Sequence, residues 1–193
     1  MQRERTALPI MLFADPEAWT SWLETNHAAE RGVWLQLAKK ASGIASVTYH
    51  EALDVALCYG WIDGQKKPYD EKTWLQKFTP RGAKSVWSQI NREKVQRLIE
   101  QGAMRPAGQA TVDLAKQDGR WEAAYASQRT MTVPPDFQAA LDGNLAARDF
   151  FDTLNRANRY AFLFRIETAK KAETRARRIQ EFIAMLERHE QLH

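Results

Sequence analysis

The chain has 193 residues, enough for one domain with a sizeable core, or for one domain plus a small appendage. Hydrophobic residues make up 44% and charged residues 27%, and 28 Lys and Arg against 24 Asp and Glu leave a net charge of +4. That balance excludes a disordered polyelectrolyte and argues against a domain whose whole surface is basic.

Residues 8–13 are a short apolar strand candidate. Asp15-Pro16-Glu17 then starts a helix: Asp15 can cap, Pro16 suits the first helical position, and Glu17 favours the positive helix end. Trp19, Trp22 and Leu23 follow at i, i+3, i+4 and predict one buried face. Val33, Leu35 and Leu37 alternate on one side of a strand over 33–38, and Ser42-Gly43 is a loop signal. Thr48-x-x-Glu51 is a capping box heading a helix that runs to about Cys58. Residues 61–66 and 72–79 read as a strand pair joined through Pro68-Tyr69-Asp70.

Pro80-Arg81-Gly82 breaks the chain. Ser85 is expected to open a helix to about Gln101, which Gly102 stops in a left-handed turn. Pro106 starts a shorter helix ending at Asp118-Gly119. Val133-Pro134-Pro135-Asp136 reads as a linker with Asp136 as a cap. Residues 156–187 read as one long helix whose inward stripe is Ile166, Ala169, Ala172, Ala176, Ile179, Ile183 and Leu186. The expected class is α+β: a small antiparallel or mixed sheet of three to four strands with helices in the N-terminal part, then an all-helical region. The expected division is an α+β domain over 1–131 and a helical module over 132–193, packed on it.

The single cysteine, Cys58, cannot form an internal disulfide, which fits a reducing compartment. The start Met1-Gln2-Arg3-Glu4-Arg5 is charged, and the apolar run 7–14 is short and contains Pro9, so it does not read as a signal peptide. No stretch approaches the roughly 18 apolar residues of a membrane span. The expected location is the cytoplasm, without membrane insertion.

Several residue sets carry candidate chemistry. Arg81, Lys84, Ser85, Ser88 and Asn91 combine two cations with an expected helix start, where free amides favour an anion. Ser85 capping the helix and Arg81 pairing with a carboxylate would account for the same residues. Asp63, in Gly60-Trp61-Ile62-Asp63-Gly64, suits a ligand contact or a turn bound to its own backbone. Trp61 and Trp74, beside Lys66, Lys67 and Lys72, could line a pocket or pack in the core. His50, Asp54 and Cys58 share a helical stripe, but eight residues are about 12 Å of helix, too far for His50 and Cys58 to share a proton. His189-Glu190-Gln191-Leu192-His193 matches H-E-x-x-H by chance: no third ligand follows it.

Between Arg156 and Arg178 eight basic residues face two acidic ones, an excess larger than the net charge of the whole chain. Lys170, Lys171, Arg175, Arg177 and Arg178 of this run are the candidate nucleic-acid contacts; a solvated helix face would look the same. No set of residues makes a convincing nucleophile, base or metal set, and no cofactor is expected. An enzyme whose chemistry centres on Asp63 and Arg81 is the remaining alternative.

A family likeness sits on these motifs. Cys58-Tyr59-Gly60-Trp61-Ile62-Asp63-Gly64, Phe78-Thr79-Pro80-Arg81, Ser85-Val86-Trp87-Ser88-Gln89-Ile90-Asn91 and Gln101-Gly102-Ala103-Met104 resemble the N-terminal part of the YdeI/OmpD-associated, or bacteriocin-protection, family. Val133-Pro134-Pro135-Asp136 and the run from Ala169 to Ile179 resemble its C-terminal helical module. The resemblance implies an association with protection against bacteriocins and antimicrobial peptides and with an outer-membrane porin. It brings no catalytic residues to this chain. Together these features lead to the expectation of a cytoplasmic binding or stress-protection protein. Its partner would be a small anionic ligand or a protein, with nucleic acid as the second choice.

Overall fold

The computed structural model describes residues 7–192. The charged start at residues 1–5 and His193 of the H-E-x-x-H match lie outside the described residues. The chain divides into two compact units. One comprises residues up to Ser85 with Asn91–Glu122, the other Val86–Ile90 with the residues from Ala123 on.

The N-terminal unit is built on a mixed four-stranded sheet of order β1-β2-β4-β3. β1 (Ile10–Met11) runs parallel to β2 (Val33–Ala38); β2 and β3 (Trp61–Pro68) each pair antiparallel with β4 (Thr73–Pro80). The β3–β4 turn forms as expected because the Asp70 carboxylate accepts the Lys72 and Thr73 amides, at 2.8 and 2.6 Å. A bulge lies between Asp63 and Lys66, and the buried Gln76 amide donates to the Gly64 and Gln65 carbonyls there. Gln76 thereby gives partners to carbonyls at the bulge, where the ladder pairing shifts.

α1 (Pro16–Asn26) is capped by Asp15, and α2 (Tyr49–Cys58) by the Thr48–Glu51 box. Trp19 is fully buried and stacks on Trp22 at 5.3 Å, while its indole donates to the Ala52 carbonyl. Phe13, Trp61 and Phe78 complete this aromatic core. α4 (Pro106–Gln117) packs on α2 through glycine. A Cβ at Gly108 would lie 2.2 Å from the Cys58 carbonyl oxygen, and one at Gly60, where φ is +74°, 2.9 Å from the Ala107 carbonyl oxygen of α4.

α3 (Gln89–Glu100) corrects the expected helix start. The helix begins at Gln89, not Ser85. The Trp87 carbonyl accepts the Tyr125 amide and the Gln89 amide donates back to Tyr125, which sets Ser88 in a parallel bridge just ahead of the helix. Bridge pairing and helical hydrogen bonds compete for the same backbone groups, and here burial of Trp87 goes with the bridge.

The C-terminal unit gathers α5 (Pro135–Asp142), α6 (Leu145–Thr153), α7 (Arg156–Glu167) and α8 (Ala172–Glu187). Their core is Phe137, Leu141, Phe151, Phe162, Ile166, Phe182 and Leu186, with Phe137–Phe151 and Phe162–Phe182 packed edge to face. α6, capped by Asn144, was not foreseen. The expected single helix over 156–187 is two helices. The Phe164 carbonyl near the end of α7 is met by Thr168, and α8 arginines meet the next two: Arg175 donates to Ile166 at 2.9 Å and Arg178 to Arg165. Orphan carbonyls that would have continued the helix are thereby satisfied. Ala172 and Ala176 are exposed, whereas Ile166, Ile179 and Leu186 of the expected inward stripe are buried and Ile183 packs against the same core. Asp136 is not a cap; Pro134 holds that position, and Asp136 instead clamps Arg175 through two bonds of 2.6 and 2.8 Å. That guanidinium holds the Asp136 carboxyl below its usual range.

Candidate functional site

Several of the seven residues expected to hold a ligand have partners within the fold. Trp61 is buried and its indole is committed to the His27 carbonyl at 3.1 Å. Asp63 accepts the Tyr49 hydroxyl at 2.8 Å; burial and this carboxylate push the Tyr49 phenol far above its usual range. Ser85 forms a turn to Gly82 and gives its carbonyl to Arg120, whose guanidinium is also held by Asp118 at 2.8 Å. Lys84 is exposed and Asn91 half-buried, whereas Ser88 belongs to the other unit. Arg81, Gly82 and Ala83 meet Thr111, Leu114 and Arg120 around a cavity of only about 20 Å³. Such a space holds about one water molecule.

A second cavity of the N-terminal unit, about 300 Å³, is bordered by Thr20, Asp54, Cys58, Tyr59, Leu98 and Arg105. Its charges are already matched: Asp54 binds Lys94 at 2.5 Å and Arg97 at 2.6 Å, and the Tyr59 hydroxyl donates to Glu24. Burial, then the Asp54 carboxylate, push the Cys58 thiol up to about 11, with Arg105 opposing. Only about one molecule in a thousand is then the thiolate at pH 8, against about a quarter for a free cysteine. Ellman's reagent at pH 8 should therefore react with native protein at least about 100-fold more slowly than with denatured protein; equal rates would show an accessible, activated thiol.

The largest of these spaces lies in the C-terminal unit, a cavity of about 520 Å³ between residues 128–133 and the start of α7. Arg129, Arg156, Arg159 and Tyr160, with Gln128 and Thr132, supply its polar lining, and the rest is apolar; no acidic residue borders it. Arg159 is fixed, donating to the Leu154 and Asp152 carbonyls at 3.1 and 2.5 Å and lying 3.5 Å from the Asp152 carboxylate, which is not part of the lining. Arg129 and Arg156 form no ion pair or side-chain hydrogen bond among the described residues. Desolvation, then Tyr125, raises the Tyr160 phenol, which keeps it a neutral donor. This constellation can receive a negative charge, because arginine stays protonated throughout the physiological range. Sequence reasoning counted Arg156 and Arg159 in a charge run but missed the site. The available signal was Arg156, Arg159, Tyr160 and Leu163 at i, i+3, i+4, i+7, a helix face that turns from basic to apolar.

The candidate nucleic-acid residues fall around the α7–α8 break. Arg175 and Arg178 serve the carbonyls of α7, and Arg177 lies 3.6 Å from Glu181. Lys170 and Lys171 are exposed. Among the described residues no group of three or more His, Cys, Asp or Glu could hold a metal ion, and no helix is long and apolar enough to cross a membrane.

Nothing among curated proteins or solved structures matches the chain. Residues 130–189, which contain most of the cavity and all four C-terminal helices, match the family described as bacteriocin-protection, YdeI or OmpD-associated. Residues 11–111, just over half of the chain, match a domain of unknown function, DUF8412. The chain thus belongs to the DUF8412 family and carries a YdeI or OmpD-associated segment as its C-terminal part.

Proposed function

We propose that this chain is a binding protein for small anions, not an enzyme, and that the arginine-lined cavity of the C-terminal unit is its site. The observation that carries this reading is the cavity of about 520 Å³, bordered by three arginines and no acid. Its volume falls in the range of small-molecule sites, about 300–1,000 Å³. Arg159 already lies 3.5 Å from the Asp152 carboxylate, whereas Arg129 and Arg156 have no carboxylate partner among the described residues, and an oxyanion here would accept their forked hydrogen bonds. The Arg81 loop offers room for about one water. The anion expected near Arg81 is therefore assigned to Arg129, Arg156 and Arg159 instead. In this reading the protein acts in the cytoplasm, in keeping with its one buried thiol, and protects by sequestering its ligand.

Nucleic acid remains the second reading, on the exposed pair Lys170 and Lys171. With Arg175 and Arg178 tied to backbone carbonyls, it predicts weak binding that falls steeply with salt.

Amide spectra recorded during titration with inorganic phosphate or acetate test the proposal. Shifts confined to residues 128–133 and 154–163 are expected. Shifts centred on 81–91 would return the site to the Arg81 loop, and no shifts at all would dismiss the anion reading.

A further inference from the structure

We infer that the ligand of this cavity is an amphiphilic anion, an oxyanion head carried on a short apolar tail. The inference rests on the anion-binding reading and names the ligand class. Its ground is the mixed character of the cavity wall. Three arginines, with Gln128 and Thr132, share it with Leu154 and Leu163, 7% and 5% exposed, and with Met131 and Val133. These apolar residues are continuous with the phenylalanine-rich core of the unit. A bare phosphate or acetate ion fills a small part of about 520 Å³ and leaves that wall in contact with water. A tail laid against it releases the water, and burial of each methylene is worth about 0.8 kcal/mol.

The head is served by groups of two kinds. Arg159 is held in place by two backbone carbonyls, so its orientation is set before the ligand arrives. Arg129 and Arg156 are exposed and close on the ligand from the rim. Tyr160 has the mixed character the ligand needs, a ring for the tail and a neutral hydroxyl for the head.

Calorimetry with acetate, butanoate, hexanoate and octanoate at constant ionic strength, with hexanol as the uncharged control, tests the inference. Each buried methylene should tighten binding by up to about four-fold. From butanoate to octanoate a gain of at least about ten-fold is expected, allowing for a partly open cavity. Hexanol should bind at least about ten-fold more weakly than hexanoate, having lost the charge-assisted hydrogen bonds. A Met131→Ser variant, altered at a partly buried wall position, should flatten the chain-length dependence between butanoate and octanoate. Equal affinity for acetate and octanoate would overturn the amphiphile while leaving the anion site intact. Absence of binding by every carboxylate would overturn both. Equal binding of hexanol and hexanoate would show an apolar pocket with no anion site.

Discussion

Replacing Gly108 by alanine should destabilise the N-terminal unit by about 2–4 kcal/mol and lower its melting temperature by about 5–12 °C. The direction is unusual, because glycine to alanine inside a helix ordinarily gains about 1 kcal/mol. Here the new methyl would sit 2.2 Å from the Cys58 carbonyl oxygen and 2.8 Å from that of Leu57. Both obstacles are backbone, so no rotamer change relieves them. The Cys58 carbonyl is also anchored by the Arg105 amide at 3.1 Å, which ties the end of α2 to the start of α4. To admit the methyl the two helices must separate, and Ala52, Ala56 and Val112 around them lose close packing. Ala110→Gly on the exposed face of α4 provides the comparison and should cost only about 1 kcal/mol. Thermal unfolding of both variants decides the matter: a stabilised Gly108→Ala would mean that α2 and α4 are not in backbone contact.

Substituting Arg129 and Arg156 together should weaken anion binding by about 100-fold with little change in stability. A hydrogen bond to a charged group is worth about 1.5–3 kcal/mol in favourable settings. Both guanidinium groups are exposed, and screening lowers that to about 1.4 kcal/mol, or ten-fold, for each. Neither side chain holds any other described group, so truncation removes ligand contacts without orphaning a buried partner. Arg159→Ala is the less informative change. It would also free the Leu154 and Asp152 carbonyls at the turn into α7.

Much of the fold could be read from local signals. The Thr48–Glu51 box, the Asp15 cap, the Asp70 turn and the left-handed Gly102 all act within a few residues of chain, and each formed where expected. What failed depended on residues far apart. No glycine or proline marks the break between α7 and α8; it is made by Arg175 and Arg178 reaching back to α7, with Asp136 fixing Arg175 from 39 residues away. The basic run that suggested a nucleic-acid surface is in good part this capping apparatus. The helix expected from Ser85 starts four residues later for the same kind of reason, because Tyr125 bridges Ser88. The candidate site suffered most. It was placed on that helix start, whereas the open arginines come from two segments that are neighbours only after folding.

The central claim is that these arginines bind an anion, and one calorimetric comparison tests it most directly. Hexanoate is titrated into the wild-type protein, the Arg129→Ala/Arg156→Ala variant and an Arg148→Ala control, whose guanidinium faces Asp149 on α6 at 3.7 Å. Saturable binding to wild type and to the control, weakened about 100-fold in the double variant, is the predicted result. Equal affinity in all three proteins, or no heat of binding in any of them, would contradict it.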